Sequence, residues 1–230
     1  MPATADTSPP PSIAAAWVRN NALAALISGA ASLAIYAVRH ATGVADGDAG
    51  FAAIVFLYAV AIVLSGFAGA AYGVLSGAVL QRIVPLLPVH AWIALNAAMA
   101  VVAGVLSEIG LMLLSGAPTD DDASLGETLL VGLIVGGILG AGIGGLQALV
   151  LRKVALGVSA WVGWSAVAFT IAVLLIAGGG KLWGTGGGFA VELANQTMSF
   201  VAYVIVSLLM LPALRRLLDP MLSRAGPHFD

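Results

Sequence analysis

Cysteine is absent from this 230-residue chain. That absence excludes disulfides, thiolate metal sites, iron–sulfur clusters and cysteine nucleophiles. Charge is scarce as well. Only 9% of the residues are Asp, Glu, Lys or Arg, and the formal net charge is −2. With no basic cluster to compensate, nucleic acid is excluded as a partner. The histidines are His40, His90 and His228. His40 and His90 fall at opposite ends of the expected helices, so they cannot share one haem iron.

What is present is hydrophobicity. The chain is 60% hydrophobic, and its mean hydropathy is +1.05. Apolar runs of membrane-spanning length recur from end to end, a pattern foreign to soluble domains. The expected fold is all-α: an integral-membrane bundle of six transmembrane helices. The spans are placed at Asn21–Val38, Ala53–Gln81, Ala91–Leu114, Glu127–Leu151, Trp161–Ala177 and Phe189–Leu211. Residues 1–20 are then a polar, proline-rich tail, 21–216 the transmembrane domain and 217–230 a second tail. Met1–Pro11 lacks the basic start of a secretory signal. The run from Phe51 to Arg82 would make about 48 Å of helix, longer than the roughly 30 Å hydrocarbon core. Leu64-Ser65-Gly66-Phe67 is too apolar for a turn, so one long tilted helix is expected there.

Charge placement orients the bundle. With the N-terminus inside, six spans put Arg19, Arg82, Arg152, Lys153, Arg215, Arg216 and Arg224 on the cytoplasmic side. Arg39 and Lys181 fall outside, with Asp46, Asp48, Asp120, Asp121, Asp122 and Glu127. This obeys the positive-inside rule and implies that both termini are cytoplasmic. Trp17, Trp92, Trp161 and Trp164 sit at the expected inner interface, and Trp183 at the outer one, where an aromatic belt would lie.

Two stretches carry small residues every fourth position: Ser65, Gly69, Gly73, Gly77, and Gly132, Gly136, Gly140, Gly144. That spacing puts each set on one stripe of a helix. Glycine costs about 1 kcal/mol against alanine in a helix in water. In lipid, close backbone contact is what associates helices, and small residues permit it. Both sets are therefore expected helix-packing positions.

The two stretches also belong to an expected internal repeat. Gly69, Gly73, Gly77, Leu80-Gln81-Arg82 and Trp92 parallel Gly140, Gly144, Leu151-Arg152-Lys153 and Trp161 at an offset of about 70 residues. The units cover about 53–114 and 127–178. Each has a zipper helix running inward and a helix returning outward, so the repeat is parallel. The second unit, from Gly140 through Gln147 and Arg152 to Trp161 and Trp164, resembles a repeat of bacterial multi-pass membrane proteins without an assigned activity. In them a glycine helix ends in a Gln-x-x-Val-Leu-Arg-like sequence, followed by a tryptophan-containing return helix. In the first unit Gly77 replaces the glutamine, and Gln81 is inserted before Arg82. The resemblance implies a bacterial inner-membrane setting and no catalytic residue.

Candidate chemistry is sparse. Glu108 lies inside the third span, where a charge costs about 3 kcal/mol on insertion scales and faces protein or a cavity. Glu192, Asn195 and Gln196 share one face of the last span. Arg39 and Lys181 end at the same level, giving a candidate outer polar cluster of Arg39, Glu108, Lys181, Glu192, Asn195 and Gln196. Simple pairing, Glu192 with Lys181 or Glu108 with Arg39, would also account for it. The loop Gly178–Gly188 lacks the Gly-x-x-x-x-Gly-Lys-Ser/Thr pattern and a preceding strand, so it is not a phosphate loop. Gly73-Val-Leu-Ser76-Gly77 lacks the partner histidine of an intramembrane serine protease. Asp120-Asp121-Asp122 could bind a divalent cation weakly, but a solvated acidic loop is the expected reading.

No catalytic, metal or cofactor site emerges. The expected role is non-enzymatic: an accessory, structural or assembly subunit of a larger membrane complex, with membrane lipids and other integral membrane proteins or itself as partners. The alternative is a small-solute or ion transporter or channel using Glu108 and Glu192.

Overall fold

Backbone amides in lipid must be satisfied within their own segment, so long apolar runs fold as helices. The protein is seen in a computed structural model, which describes residues 13–45, 47, 49–115, 124–155, 158–183 and 188–224; the side chains of 107–115, 180–183 and 218–224 are excepted. Seven helices follow one another: α1 (Ile13–Ala41), α2 (Phe51–Ile83), α3 (Val89–Ser115), α4 (Leu125–Leu151), α5 (Val158–Trp183), α6 (Phe189–Leu209) and α7 (Leu211–Arg224). Six segments are long and apolar enough to cross a membrane, the last running Phe189–Leu217 across the α6–α7 junction. No strand occurs among the described residues. The chain is thus an all-α, six-span membrane bundle.

Local signals explain the helix ends. Ser124 caps α4 in a capping box: its hydroxyl accepts from the Glu127 amide, and the Glu127 carboxylate accepts from the Ser124 amide at 2.8 Å. The run from Phe51 is a single 33-residue helix, about 50 Å long. At Met210 the backbone turns, and Pro212 falls in the first turn of α7, where its missing N–H is tolerated.

Two boundaries differ from the sequence reading. Helix α1 starts at Ile13, inside the expected tail of residues 1–20, because Ala16 and Trp17 are buried in the bundle. Helix α7 continues through the expected 217–230 tail to Arg224. Ala213, Leu214 and Leu217 anchor it to the core, while Arg215 and Arg216 face out.

The helices form a ring in the order α3, α2, α1, α6, α5, α4. The pairs α2/α3 and α4/α5 pack most closely, and α3 and α4 touch only slightly, which leaves a seam. The main core lies at the end where α1, α3 and α5 begin. It gathers Trp17, Leu80, Ile83, Trp92, Leu151, Trp161 and Leu214. A smaller cluster of Ile35, Leu57 and Ala61 lies toward the other end. Phe56, Val63, Phe67 and Ile138 point outward, as lipid-facing side chains do.

Candidate functional site

The small-residue stripes set how closely the hairpins close. A Cβ built on Gly69 would collide with Asn96 O and the Ala100 side chain, and one on Gly73 would lie 2.7 Å from Ile93 Cα. Ser65 lies directly against Gly104, and Gly77 sits beneath Trp92. In the second hairpin, a Cβ on Gly136 would be 2.7 Å from Thr170 Cα, one on Gly140 2.5 Å from Ser165 O, and one on Gly144 2.6 Å from Ser165 Cβ. Gly132 is looser, 3.4 Å from the flexible end of Leu174. All eight positions therefore face the neighbouring helix of their own hairpin.

The contacts correspond between hairpins. Gly69 meets Asn96, Ala97 and Ala100; Gly140 meets Ser165, Ala166 and Phe169. Gly73 meets Ile93; Gly144 meets Val162. The offset is 71 on the zipper helix (69 to 140) and 69 on the return helix (96 to 165) in each case.

Where the zippers end, a buried polar network begins. Trp92 Nε1 donates to Ser76 Oγ at 2.9 Å, and Trp161 Nε1 donates to Gln147 Oε1 at 3.0 Å. At the same offset Ser76 therefore answers Gln147, which corrects the sequence alignment of that glutamine with Gly77. Gln147 Nε2 donates across the α3–α4 seam to Asn96 Oδ1 at 3.0 Å. Asn96 Nδ2 in turn donates to Trp92 O, and Tyr72 is hydrogen-bonded to Gln147. Trp17 Nε1 donates to Ser207 O at 3.0 Å, joining α1 to α6. Among the described residues no buried side-chain N or O lacks a partner. Trp161 packs edge-on against Trp17 at 5.9 Å and against Trp92 at 6.1 Å, a favoured aromatic arrangement. Trp17, Trp92 and Trp161 are 0–1% exposed. They stand at the expected end of the bundle but inside it, not in a lipid-facing belt, because each indole N–H has an internal acceptor.

Above this plug is a cavity of about 460 Å³, bounded by helices α1 to α6. Polar side chains dominate next to the plug: Asn21, Tyr72, Asn96, Gln147, Tyr203 and Ser207. Farther out the wall is mostly small or apolar, with Ala24, Ala25, Ala68, Ala100, Phe169 and Ile176 interspersed with serines. Among the described residues no Asp, Glu, Lys, Arg or His lines it.

The expected outer cluster is only partly brought together. Arg39 and His40 close α1, whose Tyr36 ring contacts His40 at 4.4 Å and Phe189 at 6.5 Å. This places Arg39 at the same end as Glu192, in the first turn of α6. Glu192 Oε1 accepts from Gln196 Nε2 at 2.7 Å. Asn195 is half-buried on the same helix. Of the four whose side chains are described, Gln196 alone lines the cavity. The Glu108 and Lys181 side chains lie outside the described residues, so neither expected ion pair has a geometry here. Among the described residues no three His, Asp or Glu side chains gather as a metal site.

The sequence reading missed Asn21, Tyr72, Ser76 and Asn96. Its available signal was an amide or hydroxyl in the inner turns of an apolar span, beside the last zipper glycine; such groups seek partners within the bundle. The fold defines a polytopic α-helical membrane protein, and the described residues of its cavity wall are uncharged. No protein-family model, no curated protein and no solved structure matches the chain.

Proposed function

We propose that this protein binds a small uncharged molecule inside its six-helix bundle and acts, without catalysing a reaction, as a membrane carrier for it. The cavity is the observation that carries this reading. Its volume of about 460 Å³ falls in the range of ligand sites, roughly 300–1,000 Å³. Hydrogen-bonding side chains at one end would orient an occupant, and the closed plug beneath would keep the bundle sealed. The corresponding hairpin contacts support a parallel duplication, an arrangement found in transporters. The ion-coupled version is weaker, because Glu192 is engaged by Gln196 and is not part of the cavity wall.

The test is extraction and mass spectrometry of the small molecules that purify with the protein in mild detergent. Ser28→Phe and Ser199→Phe, which project bulk from the cavity wall, should deplete a specific compound while leaving thermal stability close to wild type. In proteoliposomes, transport of that compound should survive Glu108→Gln and Glu192→Gln. Ion flux that vanishes in either variant would replace the uncharged carrier with the carboxylate-based transporter.

The slight contact between α3 and α4 favours a second reading. An accessory subunit could receive the helix of another integral membrane protein at that seam. Recovery of one stoichiometric membrane partner, lost on placing Trp at Ala103, would support it. The charge distribution supports cytoplasmic termini, Arg19, Arg82, Arg152, Arg215 and Arg216 belonging to the end that holds the plug.

A further inference from the structure

The cavity is long, and its two ends differ. Along α1 its wall runs from Trp17 to Ile35, about 27 Å of helix. A compact void of about 460 Å³ would be only about 10 Å across. Amides and phenols crowd the plug end, and small and apolar residues line the remainder. Amide groups there keep unused capacity. Asn96 spends one donor hydrogen and one acceptor site on the bonds described above, Gln147 spends one of each and a third site on Tyr72, and each amide offers two of both. At the plug end, among the described residues, a charged head group would meet amides and phenols but no counter-charge, and burial without one is costly.

The cavity also reaches the membrane side of the bundle. Ala103 on α3, one of the two helices of the slightly touching α3–α4 pair, lines the cavity and is exposed. Among the described side chains the hydrogen bond that bridges the seam lies toward the plug, between Gln147 and Asn96. A wall that opens sideways at mid-bundle draws its occupant from the bilayer and not from water.

We infer that the ligand is an elongated, uncharged amphiphile, an alkyl or isoprenoid chain ending in a hydroxyl or carbonyl group. It enters from the bilayer between α3 and α4, with its polar end held by Tyr72, Asn96 and Gln147. This inference rests on the carrier reading above and specifies its substrate class.

The experiment uses the full chain in nanodiscs and three photoreactive diazirine probes. They are a long-chain alcohol, a trimethylammonium of equal chain length and a short water-soluble diol. Labelled residues are located by peptide mass spectrometry. The long-chain alcohol should label Ser28, Met99 and Tyr203, and the ammonium should label them at least about tenfold less. The diol should stay at background. Tyr72→Phe removes one hydroxyl and should lower cavity labelling about fivefold, the weight of one hydrogen bond. Labelling of lipid-facing Phe67 should not change, and Ser199→Phe should abolish the cavity signal.

Cavity labelling by the diol instead of the alcohol overturns the chain-bearing ligand and leaves the carrier reading standing. Equal labelling by the ammonium overturns the uncharged head. An unchanged cavity signal in Tyr72→Phe overturns the assigned head position. No cavity label from any probe, in protein with wild-type circular dichroism and thermal unfolding, overturns the inference and the carrier reading together.

Discussion

Gly140 and Gly142 stand close together in α4 and meet opposite surroundings. A Cβ on Gly140 would press on the Ser165 carbonyl and Ala166 Cα, whereas one on Gly142 would meet nothing within 4 Å. Gly140→Ala must therefore push α5 away, at the roughly 1–3 kcal/mol typical of overpacking. Gly142→Ala should be neutral or raise stability by up to about 1 kcal/mol, the helix-propensity difference. Thermal unfolding of the two variants side by side checks this, and equal effects would refute the zipper geometry. The structure makes even one methyl too large there, because the obstacle is backbone. The amide pair across the seam gives a second measurement. A double-mutant cycle of Asn96→Ala and Gln147→Ala should show coupling near 0.6 kcal/mol and below about 1.7, the range for interhelical hydrogen bonds in membranes. Zero coupling would mean the seam is open along its whole length.

At the scale of elements, helix existence was legible and helix ends were less so. The long α2 follows from an apolar run without a turn signal, and α4 begins at a capping box that can be read as Ser124-x-x-Glu127. Ser124→Ala should cost about 1 kcal/mol of local stability. Hydrogen exchange should report it as faster exchange in the first turn of α4 with the later turns unchanged. The start of α1 was misplaced because residues 13–20 have little hydropathic signal; burial of Ala16 and Trp17 against distant helices holds them helical. Hairpin register followed the same logic. Small residues every fourth position announced a contact face, but not that Ser76, rather than Gly77, answers Gln147.

For the whole molecule, six spans require both ends of the membrane domain to lie on one side. Cysteine scanning of this cysteine-free chain should label positions 121 and 153 from opposite sides of the membrane. Labelling of both from the same side would remove the six-span topology. The ring closes through α1 and α6 but stays nearly unsealed between α3 and α4. The plug should thus be the most stable region, and hydrogen exchange should be slowest near Trp92 and Trp161 and faster in the outer turns of α3.

Composition and periodicity by themselves determined the class, the count of spans and the stripes on which α2 and α4 meet their partners. These are local properties: hydropathy over a helix length, and residues brought to one side by the helical repeat. The outer carboxylates were legible as unusual but not as a site, because their partners depend on which helices adjoin. The tertiary structure alone decided that Trp17, Trp92 and Trp161 turn inward, that Asn96 and Gln147 meet across the seam, and that a cavity lies above them. Each depends on residues distant in the chain: Trp17 reaches Ser207 and Asn96 reaches Gln147. Such contacts follow from the order of helices around the ring, which the pattern within any one helix does not encode.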